Sequence, residues 1–335
     1  MNNNSLEKIT SYLDGEKITL FDIGARYGIH PRWGGIASIL RVYAFEPDPK
    51  ECARINASAQ SLPYQLECLP YALGDDTQNA VPLYVCKDPG CSSLYQPNME
   101  LVRQFHFGES MEVESTLQVS INRLQDVCEQ YKLRPDVIKI DTQGYELNIL
   151  KGAGASLEDV KLVELEVEFN EQYQGQPLFS DIDMYMRSRG FALLGLRRTY
   201  WRRKVSQERL KTPFGGQIMH GDAIYYNEKL LNDRKRILSS ADLIRLCILL
   251  SIYQQDDFVA YLLTQSHPAV RAIPEPERIA LAVALQNHTS RMNSFIGRLL
   301  DLVRKRFWLP HTSLRGMVDN LQSKHAKDWH DPDFH

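Results

Sequence analysis

Three carboxylates stand at places where an α/β chain can do chemistry. Asp22 comes near the end of the apolar run ITLFDI, just before a turn that reads G-A-R-Y-G from Gly24 to Gly28. Glu46 ends a second apolar run in RVYAFEP, with Pro47 after it, and Asp141 ends a third in VIKIDTQGYE. Acids at the carboxyl ends of neighbouring parallel strands suit a nucleoside, because ligands of open α/β sheets bind in the crevice outside those ends. A carboxylate such as Glu46 can accept hydrogen bonds from both ribose hydroxyls at once. Gly24 and Gly28 permit positive φ and a close approach of backbone to ligand. A helix opening after the turn would aim free N–H groups at a carboxylate. A dinucleotide fingerprint needs G-x-G-x-x-G. Arg26 stands where its middle glycine would be, so a pyrophosphate is disfavoured and S-adenosylmethionine fits better than NAD. The plain alternative makes the glycines turn residues and Glu46 a solvated strand end, but it leaves acids at three strand ends unexplained.

If S-adenosylmethionine binds there, transfer of its methyl needs an acceptor atom in line with the S–C bond, an alignment that can lower the barrier by up to about 7–11 kcal/mol. An acceptor that carries a proton also needs a base. Asp141 is the first candidate base, with hydrogen bonding to cofactor or backbone as its alternative role. VELEVEF puts Glu164, Glu166 and Glu168 on one face of a strand, since side chains alternate with period two. That pattern suits a polar cleft at the carboxyl end of the strand. Glu168, nearest that end, is the second candidate, and Glu164 reads as a solvated or paired structural acid. His220, ahead of the last strand, is the third candidate, against the ordinary role of a polar loop histidine. His30, beside Pro31, could shape the mouth of the cofactor turn. In LRRTYWRRK, Arg197, Arg198, Arg202, Arg203 and Lys204 flank Tyr200 and Trp201. Such a segment could hold an anionic sugar-containing acceptor, could bind RNA by the same chemistry, or could be a solvated hairpin. The acids could accommodate a divalent metal, but no spacing among them indicates one.

The elements that must carry these residues follow from hydrophobic periodicity. Strands are expected at 18–23, 41–45, 64–69, 137–140, 162–169, 191–196 and 222–226, with helix-period segments between them. This is the pattern of a mostly parallel sheet with helices on both faces. A helix is expected at 122–132. Another is expected at 180–190, capped by Ser180 and ended by Gly190. Residues 81–85 and 112–119 alternate like an inserted antiparallel pair. After 227 the character changes: 240–253 is apolar nearly all round, 277–285 is a further apolar helix, and Met292, Phe295, Ile296, Leu299, Leu300 and Val303 form a stripe. The expected division is a catalytic domain over 1–228 and a helical appendage over 229–335, packed on the sheet or on a second subunit. The tail from 323, with three histidines, reads as a frayed terminus.

The runs FDIGARYG, AFEPDP, PYALGD, GCSSL and IKIDTQGYELNILKGA, in this order and spacing over about residues 18–226, resemble FkbM-type methyltransferases. The resemblance implies a class I, Rossmann-like S-adenosylmethionine-dependent O-methyltransferase that acts on hydroxyls of sugars, glycans or natural products. It implies that Asp22, Gly24, Ala25 and Gly28 form the methionine side of the cofactor site. Glu46 and Pro47 would lie at the ribose, and the backbone of Ala72 and Leu73 near the adenine. Ser92 and Ser93 would lie close to the cofactor, and Asp141 near its sulfonium. Two positions depart from the usual pattern. Arg26 replaces an asparagine, and Gln143 stands where an acid usually precedes the glycine of the later motif. The resemblance does not reach the C-terminal appendage.

The chain of 335 residues carries a formal net charge of −3, which gives no bulk attraction to nucleic acid or anionic membrane. No apolar run reaches the roughly 20 residues of a membrane span, and MNNNSLEKIT has no secretory pattern. Six cysteines at irregular spacings suit reduced thiols and a cytoplasmic location. The rival readings are a nucleic-acid methyltransferase that uses the 197–204 segment, and a non-catalytic nucleotide-binding or scaffold protein of the same fold.

Overall fold

The computed structural model describes residues 11–13, 15–205, 216–232, 238–265, 268–275, 278, 279 and 281. The expected stripe at 292–303, the histidine tail and most of the 277–285 helix lie outside the described residues.

The described residues form two compact units, one within 16–236 and one drawn from 1–15 and 237–335. The first is built on a seven-stranded sheet. Its strands are β1 (Ile18–Ile23), β2 (Leu40–Phe45), β3 (Gln65–Leu69), β7 (Val137–Ile140), β8 (Leu162–Glu168), β9 (Phe191–Trp201) and β10 (Gln217–Asn227). They lie in the order β3-β2-β1-β7-β8-β10-β9. The first five run parallel, and β10 is antiparallel to both β8 and β9. Chain order reverses between β1 and β7, so a switch point lies at the carboxyl ends of those two strands. β4 (Ala72–Gly74), β5 (Gln78–Cys86) and β6 (Val113–Arg123) make a separate sheet, with β6 parallel to β4 and antiparallel to β5.

The two faces of the large sheet differ. On one, Phe21, Ile23, Ile138, Ile140, Val163, Leu165 and Val167 form a continuous apolar core. It is covered by α2 (Leu124–Tyr131), α3 (Glu146–Ala153) and α4 (Phe179–Ser188), which contribute Val127, Leu150 and Met186. On the other, α1 (Pro49–Ser58) packs Cys52 and Ile55 on Ala44 and Cys68. Asp22 pairs in register with Ala44 and Lys139, and Lys139 with Glu164. Toward β8 and β10 this second face is therefore charged. All seven residues of β8 are buried, with apolar side chains toward the helices and Glu164, Glu166 and Glu168 toward the charged face.

Several elements depart from the periodicity. Residues 31–39 form a kinked 3-10 stretch and not an α-helix, with Ile36 at φ −123°. The Gly34–Gly35 pair followed by a β-branched residue makes a poor helix interior. The first turn of α4 is closed by Asp181, which accepts the Leu178 N–H at 2.9 Å, and Ser180 lies inside the helix. β9 runs through Trp201, because Arg197 pairs with Asp222 across the ladder and Thr199 and Trp201 favour extended backbone. In the second unit, Ser239 caps α5 (Ser240–Ile252), accepting the Asp242 N–H at 3.0 Å. α6 (Asp256–Thr264) and the turn Ser11–Leu13 pack on α5. All six cysteines are buried free thiols. Among the described residues no helix is long and apolar enough to cross a membrane.

Candidate active site

The turn after β1 is tied to both neighbouring strand ends. Gly24 has φ +83° and Gly28 φ +85°. The Gly24 N–H donates to Phe45 O at 3.0 Å, and the Asp141 N–H donates to Ile23 O at 3.0 Å. A Cβ on Gly24 would stand 1.9 Å from the Asp141 carbonyl oxygen, so only glycine fits there. Gly28 is different: a Cβ there would meet nothing within 4 Å, and the turn is open on that side. Arg26 forms an ion pair with Asp48 at 2.9 Å, and Arg54 donates to Arg26 O at 3.1 Å, which braces the turn against α1. Ala25 packs beneath α1 in the cluster with Ala44 and Cys52. In place of the expected helix N-terminus, the chain next enters the 3-10 stretch. His30 caps it, with Nδ1 accepting the Arg32 N–H at 3.1 Å.

Other segments reach the same edge. Tyr27 donates to Asp88 at 2.8 Å and covers Gly90, where a Cβ would come within 2.8 Å of its ring. The Ser92 hydroxyl accepts the Cys86 N–H at 3.2 Å, and Ser93 donates to Gln143 O at 2.7 Å. Glu46 directly follows β2, is buried, and accepts the Asp48 N–H at 2.9 Å through Oε1. Burial pushes its carboxyl above the ordinary range. Pro47 continues the turn into α1. Ala72 and Leu73 are buried in β4, laddered to Ile121 and Asn122.

A single ammonium joins two of the three acids. Lys139 Nζ lies 3.3 Å from Asp22 Oδ1 and 3.4 Å from Asp141 Oδ2. Asp22, at 1% exposure, is sealed beneath the strand ends, and burial pushes its carboxyl up against the pull of Lys139. The carboxylate of Asp141 is more than a third exposed, at 38%.

From Asp141 a hydrogen-bonded chain runs across the charged face. Gln143 sits in the left-handed region at φ +60°. Its amide Nε2 donates to Asp141 Oδ1 at 3.0 Å and also to Glu166. Tyr173 donates to the Gln143 Oε1 at 2.8 Å. The other oxygen of Glu166 meets His220 Nδ1 at 2.7 Å. Glu166 and Gln143 are thus the residues that periodicity alone did not single out. The alternation of VELEVEF was the available signal, but proximity to the strand end favoured Glu168. Glu168 is 1% exposed, and Oε2 is without a partner among the described residues. Burial, followed by the charges of Glu146 and Glu166, pushes its carboxyl well above the ordinary range. Glu164 pairs with Arg32 at 3.2 Å.

In the basic and aromatic segment, Arg197 is held by Asp222 and Lys204 by Glu109, the latter at 2.7 Å. The Trp201 ring lies 5.9 Å from that of His220 and 4.9 Å from that of Phe107. Among the described residues, no cluster of three or more His, Cys, Asp or Glu side chains is arranged to hold a metal ion.

Comparison with known proteins adds three findings. The methyltransferase FkbM domain matches residues 22–193, just over half of the chain. The hexuronic acid methyltransferase AglP of Haloferax volcanii is 24% identical over 154 residues, which cover 45% of this chain and 56% of that protein. The match thus spans little more than half the length of that relative. The 2-O-methyltransferase NoeI of Sinorhizobium fredii is 24% identical over 187 residues, which cover 53% of this chain and 74% of that protein. Among solved structures, the magnesium protoporphyrin IX methyltransferase of Synechocystis PCC 6803 with bound SAM aligns over 67% of this chain and 78% of its own, at 11% identity and a TM-score of 0.33. The fold therefore rests on the strand order itself. With the domain matched over that length, this chain belongs to the FkbM methyltransferase family.

Proposed function

We propose that the chain is an S-adenosylmethionine-dependent O-methyltransferase that acts on a hydroxyl of a sugar or glycan-type acceptor. The observation that carries this reading is the joined carboxyl edge of β1, β2 and β7. There Gly24 is hydrogen bonded to the end of β2 and packed on Asp141, while the open side of Gly28 leaves room beside the turn. A methionine moiety fits against such a turn, and the buried Glu46 at the next strand end suits a ribose. The remaining cofactor contacts are assigned to Pro47, to the backbone of Ala72 and Leu73 toward the adenine, and to the neighbourhood of Ser92 and Ser93. The family membership and the sugar-directed names of the two relatives support the acceptor class.

When bound, S-adenosylmethionine supplies a methyl on a sulfonium whose bonding pair stays with sulfur. The chain's own task is to align the acceptor oxygen and remove its proton. His220 is the base in this reading. Glu166 orients the ring through Nδ1 and would stabilise the imidazolium that forms when the hydroxyl proton is taken up. Asp141 is less suited to that role, because Lys139 and the Gln143 amide both stabilise its charge. It would instead orient Gln143, whose amide N–H it accepts, and lie toward the sulfonium of the bound cofactor.

Calorimetric titration with S-adenosylmethionine should show one site per chain. Incubation with a labelled methyl donor and simple methyl glycosides should then give a methyl ether detected by mass spectrometry. Absence of cofactor binding would overturn the reading.

A further inference from the structure

We infer that Phe107, Trp201 and the side chains beside them form a binding subsite for one pyranose ring of the acceptor, adjoining His220. The inference rests on the proposed function above and adds the part of the site that recognises the sugar. Phe107, Trp201 and His220 form a row of rings, with centroids 4.9 Å and 5.9 Å apart. Phe107, at the outer end, is 42% exposed, whereas His220 at the inner end is bonded to the buried Glu166. Trp201 is buried behind Phe107 and backs it, so the apolar C–H face of a pyranose would pack on the exposed Phe107 ring, and stacking leaves its ring hydroxyls directed along the edges.

A β-bulge aligns this row. Ile218 pairs with Tyr200 but His220 pairs with Thr199, so Met219 is the extra residue. In a regular strand, Gln217 and His220 would face opposite sides of the sheet. The bulge brings both to the face that carries Trp201, a device found where strands re-aim side chains. Gln217 stands opposite Trp201 and holds both a guanidinium and an amide. Its Oε1 accepts from Arg203, and its Nε2 donates to Asn170 at 2.6 Å. Planar amide and guanidinium groups beside an aromatic wall match the alternating donors and acceptors of vicinal hydroxyls.

The loop that carries the exposed ring is tied down by its backbone. It is laced to the strand beyond Trp201: the His106 N–H donates to Arg202 O at 3.3 Å, and the Lys204 N–H donates to Gln104 O at 2.8 Å. Gly108 closes the loop so tightly that a Cβ would stand 1.9 Å from Val102 O. An exposed apolar ring, separated from His220 by the one buried Trp201 ring, is organised in advance for a ligand whose next unit reaches the base.

Saturation-transfer NMR on the full chain with the methyl β-glycosides of glucose, glucuronic acid and N-acetylglucosamine tests this directly. At least one should show saturation of its ring C–H protons. Phe107→Ala should weaken that binding by about five- to ten-fold, whereas Phe107→Tyr should restore it. S-adenosylmethionine affinity should be unchanged in both variants, and Phe107→Tyr should keep the wild-type melting temperature. Saturation of none of the three glycosides, or equal saturation in Phe107→Ala, would overturn the subsite. A wild-type chain that fails to bind S-adenosylmethionine would overturn the proposed function instead, because the glycoside signal is read without cofactor.

Discussion

Gly24 and Asp141 are in such close contact that a Cβ on the glycine would stand 1.9 Å from the aspartate's carbonyl oxygen. The turn that would cradle a methionine and the turn that carries the exposed acid are therefore one packed unit. Gly24→Ala must push the two apart and also strain φ +83°, a combination that should cost about 2–4 kcal/mol of stability. Gly28→Ala has open space around it and keeps only the conformational penalty of about 1–2 kcal/mol. Thermal melts of the two variants should rank them in that order. Equal loss in both would show that packing against Asp141 contributes nothing.

Glu46 uses one oxygen for the Asp48 N–H and is otherwise held at the end of β2. Glu46→Ala should weaken S-adenosylmethionine binding by about 1.5–3 kcal/mol, the range for hydrogen bonds to a charged group. Glu46→Gln retains an acceptor for Asp48 and should lose less. Calorimetric dissociation constants that match the wild type in both variants would remove Glu46 from the ribose site.

The pattern of apolar runs placed β1, β2, β7 and β8, but it ended β9 at 196 and began β10 at 222, so His220, expected in a loop ahead of the last strand, lies within β10. β1 and β7 match their expected limits, and the alternation in VELEVEF marks the charged sheet face. What local sequence could not show depends on contacts between distant segments. Gln143 reads as a lost acid, yet the left-handed backbone turns its amide toward two carboxylates on different strands. The bulge at Met219 is invisible in QIMHGD because it exists only relative to β9. β4 is three residues long and has no period of its own; it forms because β6 offers it a ladder. The 3-10 stretch after the first turn was masked by the general expectation that a helix follows β1.

The chain from Asp141 to His220 separates positioning from proton removal. His220→Gln should lower turnover by about 100-fold or more while leaving cofactor affinity intact, as expected for loss of a general base. Glu166→Gln keeps a group near Nδ1 but loses the charge that stabilises the imidazolium, and should lower turnover by a smaller factor. Asp141→Asn should reduce turnover less than His220→Gln does. Steady-state rates together with S-adenosylmethionine dissociation constants decide the assignment. Full activity in His220→Gln, with a large loss in Asp141→Asn, would transfer the base to Asp141.

Glu146 provides a pH-dependent readout of the same buried region. It is fully buried, its Oε1 accepts the Thr142 N–H at 2.7 Å and the Thr142 hydroxyl at 3.0 Å, and Oε2 is without a partner among the described residues. Burial, reinforced by the charge of Glu166, pushes its carboxyl up to about 8 from an ordinary value of 4.5. The unfolded chain gives up this proton near 4.5, whereas the folded chain keeps it until about 8. Between those values the folded state binds more protons, so stability falls as pH rises through the window. Glu168, raised in the same direction, adds to the slope. Glu146→Gln keeps an acceptor for Thr142 and cannot titrate, so its stability should decline less than that of the wild type from pH 5 to pH 9. Melting temperatures of both proteins at pH 5, 7 and 9 measure the difference. Parallel curves would show that Glu146 is already ionised in the folded chain at neutral pH, with a cation or a water chain compensating its charge.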